Sequence, residues 1–201
     1  MKPKKQRIYL FVDGSNLYAG QYELFGPKKY LDFPGFIKEI EKKLKTQFNK
    51  IYFYASYSPK SKKPTRKQKL YLKNEALFYK RVRQTKNVTF FKGYRSKTSG
   101  KEKEVDVKLA VDIVNFAHLG KFDTLYLFSG DADFMHSLKV AEKLKKRIFI
   151  LAIENRIPNR FSYFYLTYVM VFAMKFGGKI LPKQRIKILF TDKQKLLTII
   201  D

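Results

Sequence analysis

Short apolar runs that stop abruptly at polar turns constrain this chain more than any other feature it has. Ile8–Val12 (IYLFV), Ile51–Tyr57 (IYFYASY), Thr124–Ser129 (TLYLFS) and Arg147–Ile153 (RIFILAI) are short and apolar nearly throughout, and Val88–Phe91 (VTFF) is a candidate fifth. Continuous apolar runs of this length suit strands covered on both faces, as in a parallel sheet. Helical spacing lies between them. Phe36, Ile37, Ile40 and Leu44 recur about once per turn in Phe33–Phe48, and Leu70, Tyr71, Leu77, Phe78 and Val82 do so in Lys67–Val82. Val105–Ala117 and Asp133–Lys145 are the next two helical patterns. Strand and helix alternate, which predicts an α/β fold with a central, mostly parallel sheet and helices on both faces. Such sheets carry their sites beyond the carboxyl ends of the strands.

The 201 residues suit one domain, or one domain with an appendage. With 19 Phe and 14 Tyr the chain can build a core, which separates it from disordered basic tails. It has no cysteine, so disulfides, thiol catalysis and cysteine-bound metals are excluded. Two histidines, His118 and His136, leave little for a histidine-built metal site. Against 17 acidic residues stand 43 Lys and Arg, a net charge of +26, which points to a polyanionic partner. Half of that excess lies in residues 60–104, where 16 basic residues face 3 acidic ones. Two stretches there, 58–66 (SPKSKKPTR) and 95–104 (RSKTSGKEKE), read as exposed loops.

The apolar run Ile8–Val12 is too short for a signal-peptide core. The longest apolar stretch, 14 residues between Arg160 and Lys175, falls short of the roughly 20 that a spanning helix needs. A soluble, cytoplasmic protein without a membrane partner is expected. That stretch holds Phe161, Tyr163, Phe164, Tyr165, Tyr168 and Phe172, with Phe176 just beyond, and reads as an aromatic helix closing the core or forming a homodimer face. The expected domain covers residues 1–176. A C-terminal extension, 177–201, follows Gly177-Gly178, with Ile186–Phe190 as an edge strand or an added arm.

Carboxylates are scarce, so their positions are informative. Asp13 follows the first strand directly, in Asp13-Gly14-Ser15-Asn16. Asp131 and Asp133 follow the strand at 124–129, in Ser129-Gly130-Asp131-Ala132-Asp133-Phe134. If those strands are neighbours, their ends lie about 5 Å apart. Converging carboxylates repel unless a cation lies between them, and oxygen ligands favour a hard ion, Mg²⁺ or Mn²⁺. Each segment also reads as a capped turn, with Ser15 or Asn16 capping in the first and Asp131 or Asp133 in the second. Asp106 opens the helix at 105–117, where an Asp is equally at home as a capping residue. Asp112 lies about 120° around that helix from Asp106. The helical projection favours Asp106 as the one turned to the site, on a face shared with Leu109 and Ile113, and makes Asp112 a supporting or surface residue.

Three motifs together resemble the NYN domains, the bacterial group often called LabA-like. The first is Phe11-Val12-Asp13-Gly14-Ser15-Asn16-Leu17-Tyr18. The second is Lys103-Glu104-Val105-Asp106-Val107-Lys108-Leu109-Ala110-Val111-Asp112 and the third Ser129–Phe134, in the expected order over residues 7 to about 153. The resemblance implies a three-layer PIN-like fold and a metal-dependent ribonuclease, with Mg²⁺ or Mn²⁺ held by Asp13, Asp106, Asp131 and Asp133. It implies that Asn16 orients water or phosphate, that Ser15 and Ser129 give support, and that Asp112 is a further site residue. The lysine-rich segment 58–69 and the region after Ile153 depart from the family pattern. Lys62, Lys63, Arg66, Lys67, Lys69, Arg95, Lys97 and Lys103 are the candidate RNA-binding residues, and Tyr57, Tyr71, Tyr79 and Tyr94 are placed to stack on unpaired bases.

Competing readings fit less well. A non-catalytic RNA-binding module with the same fold keeps every feature except cleavage. A Toprim domain wants Glu where Asp13 stands, and a haloacid-dehalogenase phosphatase wants Asp where Ser15 stands. No phosphate-binding Gly-x4-Gly-Lys-Ser/Thr loop is present. Membrane-surface attachment would need a basic amphipathic helix.

Overall fold

A computed structural model describes residues 6–27, 30–95, 102–156, 169–177, 185–192 and 195–200, the last three segments as backbone alone. β1 (Ile8–Asp13) leads into α1 (Gly14–Phe25) and α2 (Phe33–Lys43). β2 (Lys50–Ala55), α3 (Arg66–Gln84) and β3 (Val88–Lys92) follow. β4 (Tyr94–Arg95) and β5 (Glu102–Lys103) form a small antiparallel ladder of their own. Next come α4 (Val105–His118), β6 (Thr124–Phe128), α5 (Met135–Lys143) and β7 (Arg147–Ile153). The chain then adds β8 (Val169–Gly177), β9 (Arg185–Asp192) and β10 (Lys195–Ile200).

The main sheet has the order β10-β9-β8-β7-β6-β1-β2-β3. From β3 to β8 every pairing is parallel, while β9 and β10 join antiparallel. β1 is central, with Val12 opposite Phe53 of β2 on one side and Phe128 of β6 on the other. Its side chains alternate between two cores, as the period of a strand requires. Leu10 and Val12 pack with Leu17 of α1, Phe36 of α2 and Phe78 of α3. Phe11 packs on the opposite face with Leu109 and Ile113 of α4 and Leu138 of α5. All of these are fully buried, and each such side chain contributes about 1.5–3 kcal/mol on leaving water. Because both faces of β1 are covered, its apolar run is continuous rather than alternating. The result is the expected three-layer α/β fold.

Three elements differ from the sequence reading. α1 is a full helix where the motif reads as a turn, and its buried positions, Gly14, Leu17, Tyr18, Gly20 and Gln21, follow helical spacing. Two of them are glycines for a packing reason. A Cβ at Gly14 would lie 2.1 Å from the Phe53 ring, and one at Gly20 would lie 2.4 Å from Ile153. The aromatic segment expected as a helix is strand β8 over residues 169–177, and 161–168 lie outside the described residues. Its run V-M-V-F-A-M is apolar in consecutive positions, a pattern shared by a buried strand and a buried helix. Pairing with β7, from Ile148 opposite Val169 to Ile153 opposite Met174, makes it a strand. The run Ile186–Phe190 lies in β9, between β8 and β10 rather than at the sheet edge.

Candidate functional site

β1 and β6 are adjacent, and the helices that follow them diverge to opposite faces, α1 to one and α5 to the other. A crevice opens at such a reversal point, beyond the carboxyl ends of the two strands. Asp13 ends β1 at one lip, and Ser129, Gly130 and Asp131 leave β6 at the other.

Asp13 is almost fully buried, at 4% exposure, which is costly for a carboxylate unless hydrogen bonds compensate. Its Oδ1 accepts the backbone N–H of Asn16 at 2.9 Å, so Asp13 itself is the N-cap of α1, the role the sequence reading gave to Ser15 or Asn16. Its Oδ2 accepts the hydroxyl of Ser129 at 3.0 Å. Ser129 Oγ in turn accepts the backbone N–H of Asp131 at 3.1 Å. One buried hydroxyl therefore ties the ends of the two strands together. Asp131 Oδ1 accepts the backbone N–H of Asp133 at 3.0 Å and caps the short 3-10 turn Ala132–Phe134. Asp131 and Asp133 are both exposed, and Ser15 is half-buried beside Asp13. Gly130 is required by contact: a Cβ there would lie 1.8 Å from the carbonyl oxygen of Arg156.

α4 presents its two aspartates in the reverse of the projected way. Val105, Leu109, Asp112 and Ile113 form the buried face, and Asp106 is exposed. Both aspartates stand three residues from Leu109, so spacing alone does not separate them; Asp112 falls in line with buried Val105, seven residues before it. Asp112 Oδ2 accepts the hydroxyl of Tyr54 at 2.8 Å, and Oδ1 pairs with the ammonium of Lys108 one turn back. Tyr54 is the β2 partner of Asp13 in register, which sets Asp112 on the same face and at the same end of the sheet as Asp13. Burial, reinforced by Asp112, raises the Tyr54 phenol well above its ordinary pKa and keeps it a donor. Tyr54 and Lys108 are the residues the sequence reading missed. The available signal was the position of Tyr54 at the end of a strand adjacent to β1.

Among the basic candidates, Lys62, Lys63, Arg66, Lys67 and Lys69 are all exposed, on the loop before α3 and on its first turn. Arg95 and Lys103 belong to the β4–β5 ladder, described at the backbone, and Lys97 lies outside the described residues. Of the tyrosines, Tyr79 is core, 1% exposed, and has no face for a base. Tyr57 packs edge-on against Tyr79, with Lys92 over its ring, and Tyr94 is exposed.

The donors around the crevice suit a hard divalent ion in kind, since all are oxygens. Asn16 Oδ1, on the residue whose N–H caps Asp13, is buried and accepts no hydrogen bond, an oxygen whose acceptor capacity is unused. Among the described residues, however, no three Asp, Glu or His side chains stand close enough to hold one ion. The arrangement therefore offers an ion one or two carboxylates at a time, the coordination Mg²⁺ commonly accepts when water and phosphate oxygens fill its shell.

Among solved structures, a protein of unknown function from Vibrio parahaemolyticus has 18% identity, a TM-score of 0.60, and coverage of 87% of this chain and 96% of its own. That likeness is one of fold. The flap endonuclease of bacteriophage T5, in a complex with DNA and metal ions, has 18% identity and a TM-score of 0.41 over 75% of this chain and 56% of its own. A pyrazinamidase/nicotinamidase from Streptococcus mutans has 11% identity and a TM-score of 0.33 over 78% of this chain and 91% of its own. The last two scores are too low to bear on function. No curated protein matches the sequence. Residues 7–164, more than half of the sequence and all three motifs, match the NYN domain, and the chain belongs to that family.

Proposed function

We propose that this protein is a divalent-metal-dependent ribonuclease, an endonuclease that hydrolyses RNA phosphodiester bonds at the crevice between β1 and β6. The observation that carries the reading is Asp13, a nearly buried carboxylate at the end of the central strand, hydrogen-bonded through Ser129 to the turn that bears Asp131. A protein seldom buries a charge at a strand end without a use for it.

Asp13, Asp131 and Asn16 are the first ligand candidates for Mg²⁺ or Mn²⁺, with Asp106, Asp133 and Asp112 at the margin of the same edge. Bound there, the ion supplies the Lewis acidity that phosphodiester hydrolysis needs at neutral pH. The chain's own residues do the rest. Ser129 and the Asn16 N–H hold Asp13 in one orientation, and Tyr54 and Lys108 do the same for Asp112. The exposed lysines and arginines of 62–69 neutralise phosphates on either side of the scissile bond. A water adds to phosphorus and gives up a proton to solvent, the bond from phosphorus to the ribose oxygen breaks, and that oxygen takes a proton from solvent to leave as an alcohol.

The spread of the carboxylates favours one alternative, an RNA-binding module without catalysis. Incubation of a labelled mixed RNA pool, with and without Mn²⁺, separates the two. Metal-dependent fragments that disappear with Asp13→Asn support the nuclease. Equal cleavage by Asp13→Asn, or binding with no cleavage at any metal concentration, refutes it.

A further inference from the structure

A cavity of about 290 Å³ lies between α1, the loop after β2 and the first turns of α3. Tyr22 and Tyr71 form one wall, edge-to-face at 4.7 Å. Ser58 and Ser61 come from the loop, Lys67 and Gln68 from α3. We propose that this cavity binds one unpaired nucleoside of a single-stranded RNA, with the base against the tyrosine pair and the backbone along the lysine-rich rim. The proposal deepens the ribonuclease reading and rests on it for the identity of the polymer.

Four observations argue for that occupant. The first is size: the volume is at the lower end of small-ligand sites, near ~300 Å³. It suits one base with its sugar rather than a duplex. The second is the wall, where flat aromatic surface stacks on any base irrespective of sequence. Tyr71 is itself fixed, its backbone carbonyl accepting the Tyr18 hydroxyl at 3.1 Å and its ring packing edge-on against Tyr18. The platform is therefore formed before a ligand arrives.

The third is the polar set. Gln68 spends its side-chain carbonyl on the Thr65 N–H at 2.8 Å, so its NH₂ group is the part available to donate to a base edge. Ser58 donates its hydroxyl to Glu75 at 2.7 Å and keeps its oxygen as an acceptor. Its backbone N–H also goes to Glu75, at 2.9 Å, which pins the loop to α3. A donor and an acceptor beside an aromatic wall match the edge of a nucleobase.

Charge is the fourth. Lys67 lines the cavity, and Lys60, Lys62, Lys63, Arg66 and Lys69, all exposed, belong to the same loop and helix start, while the one carboxylate bonded to the loop, Glu75, is buried and taken up by Ser58. A neutral aromatic ligand would not need that field, whereas a polyanion with a π-face does. The loop begins at the carboxyl end of β2, the strand beside β1, so its first residues leave the same end of the sheet that carries Asp13.

The chain contains no tryptophan, so a single Trp is an unambiguous reporter. Tyr22→Trp keeps the aromatic wall. With EDTA present and RNA anisotropy recording total binding, a single-stranded oligoribonucleotide should quench the Trp saturably. An RNA duplex of equal length should bind through its phosphates without quenching. Saturable anisotropy with no quenching, or equal quenching by the duplex, overturns the proposal. Ser61→Trp, at an exposed position, fills the cavity without touching the core. It should weaken single-strand binding by roughly five- to 150-fold, the range for one base stack removed, and leave duplex binding unchanged. An unchanged single-strand affinity, or an equal loss for both, also overturns it. Cleavage is absent from every readout, so a failed cavity leaves the nuclease reading standing, and a failed nuclease leaves the cavity testable.

Discussion

Replacing Tyr54 by Phe removes one oxygen from the molecule and nothing else of consequence. The ring remains stacked on Phe11 at 6.4 Å and tilted against Phe91 at 5.9 Å, so its buried apolar surface is conserved. What disappears is the hydroxyl given to Asp112 at 2.8 Å, in a place where both groups are buried. A hydrogen bond to an ionised acceptor contributes about 1.5–3 kcal/mol net. Lys108 remains on the other carboxylate oxygen, so Asp112 is not stranded, and the lower part of that range, about 2 kcal/mol, is expected. With a urea m-value of about 2 kcal/mol/M, typical of small proteins, the unfolding midpoint should fall by about 1 M. Tyr52→Phe is the control, a β2 tyrosine two residues earlier on the same face, which should cost little. The cycle with Asp112→Asn should show coupling of about 1 kcal/mol or more, since the residues touch. A midpoint for Tyr54→Phe indistinguishable from that of Tyr52→Phe would show that the hydroxyl does not hold Asp112, and the account of α4 facing the sheet through this bond would fail.

Three further outcomes are expected. Gly130→Ala forces a methyl group onto the Arg156 carbonyl and should cost about 1–3 kcal/mol in thermal unfolding, and Gly120→Ala, with open space but a left-handed φ of 58°, serves as a strain-only comparison. The Arg7 guanidinium and backbone N–H hold the Asp123 carboxyl down at about 2. A depressed carboxyl stabilises the fold at every pH above its unfolded value near 3.8, and that contribution should vanish between about pH 4 and pH 2, a loss absent from Asp123→Asn in an acid titration followed by circular dichroism. Removing charge at Lys62, Lys63 and Arg66 together should reduce the slope of log K against log salt for single-stranded RNA by about 0.7 for each phosphate no longer neutralised; an unchanged slope would move the phosphate track elsewhere.

Five strands of the sheet were legible because runs such as IYLFV end at polar turns after a few residues, too short for a helix, whereas the longer aromatic run that holds β8 was not. The strands at 8, 51, 88, 124 and 147 begin within a residue of where they were expected. α1 was not legible because its first residues, Gly14, Ser15 and Asn16, have turn chemistry, and its glycines are set by contacts with Phe53 and Ile153 that only the folded chain reveals. Asp106 and Asp112 were misordered for a related reason. A helical projection tells which residues share a face, but the choice between faces was made by Tyr54, 58 residues earlier in the chain. Of the candidate site, the positions of Asp13 and Asp131 at strand ends followed from the sequence, whereas the pairing of those strands and the hydroxyl of Ser129 that links them did not.

The Asp13–Ser129 hydrogen bond joins residues 116 apart, and that span affects how the protein comes into being. β1 is made before β2 and can pair with it soon after, but its other edge waits for β6, which follows β2, α3, β3 and α4. Such long-range pairing is slow, and an open apolar strand edge invites association with other chains. Until β6 docks, Asp13 lacks the Ser129 hydroxyl and the crevice has a single lip. A nascent or truncated chain ending before residue 129 would carry the basic segment at 60–104 without the completed carboxylate site. It would carry that charge without the crevice, and the arrival of the third motif is the step that completes both lips.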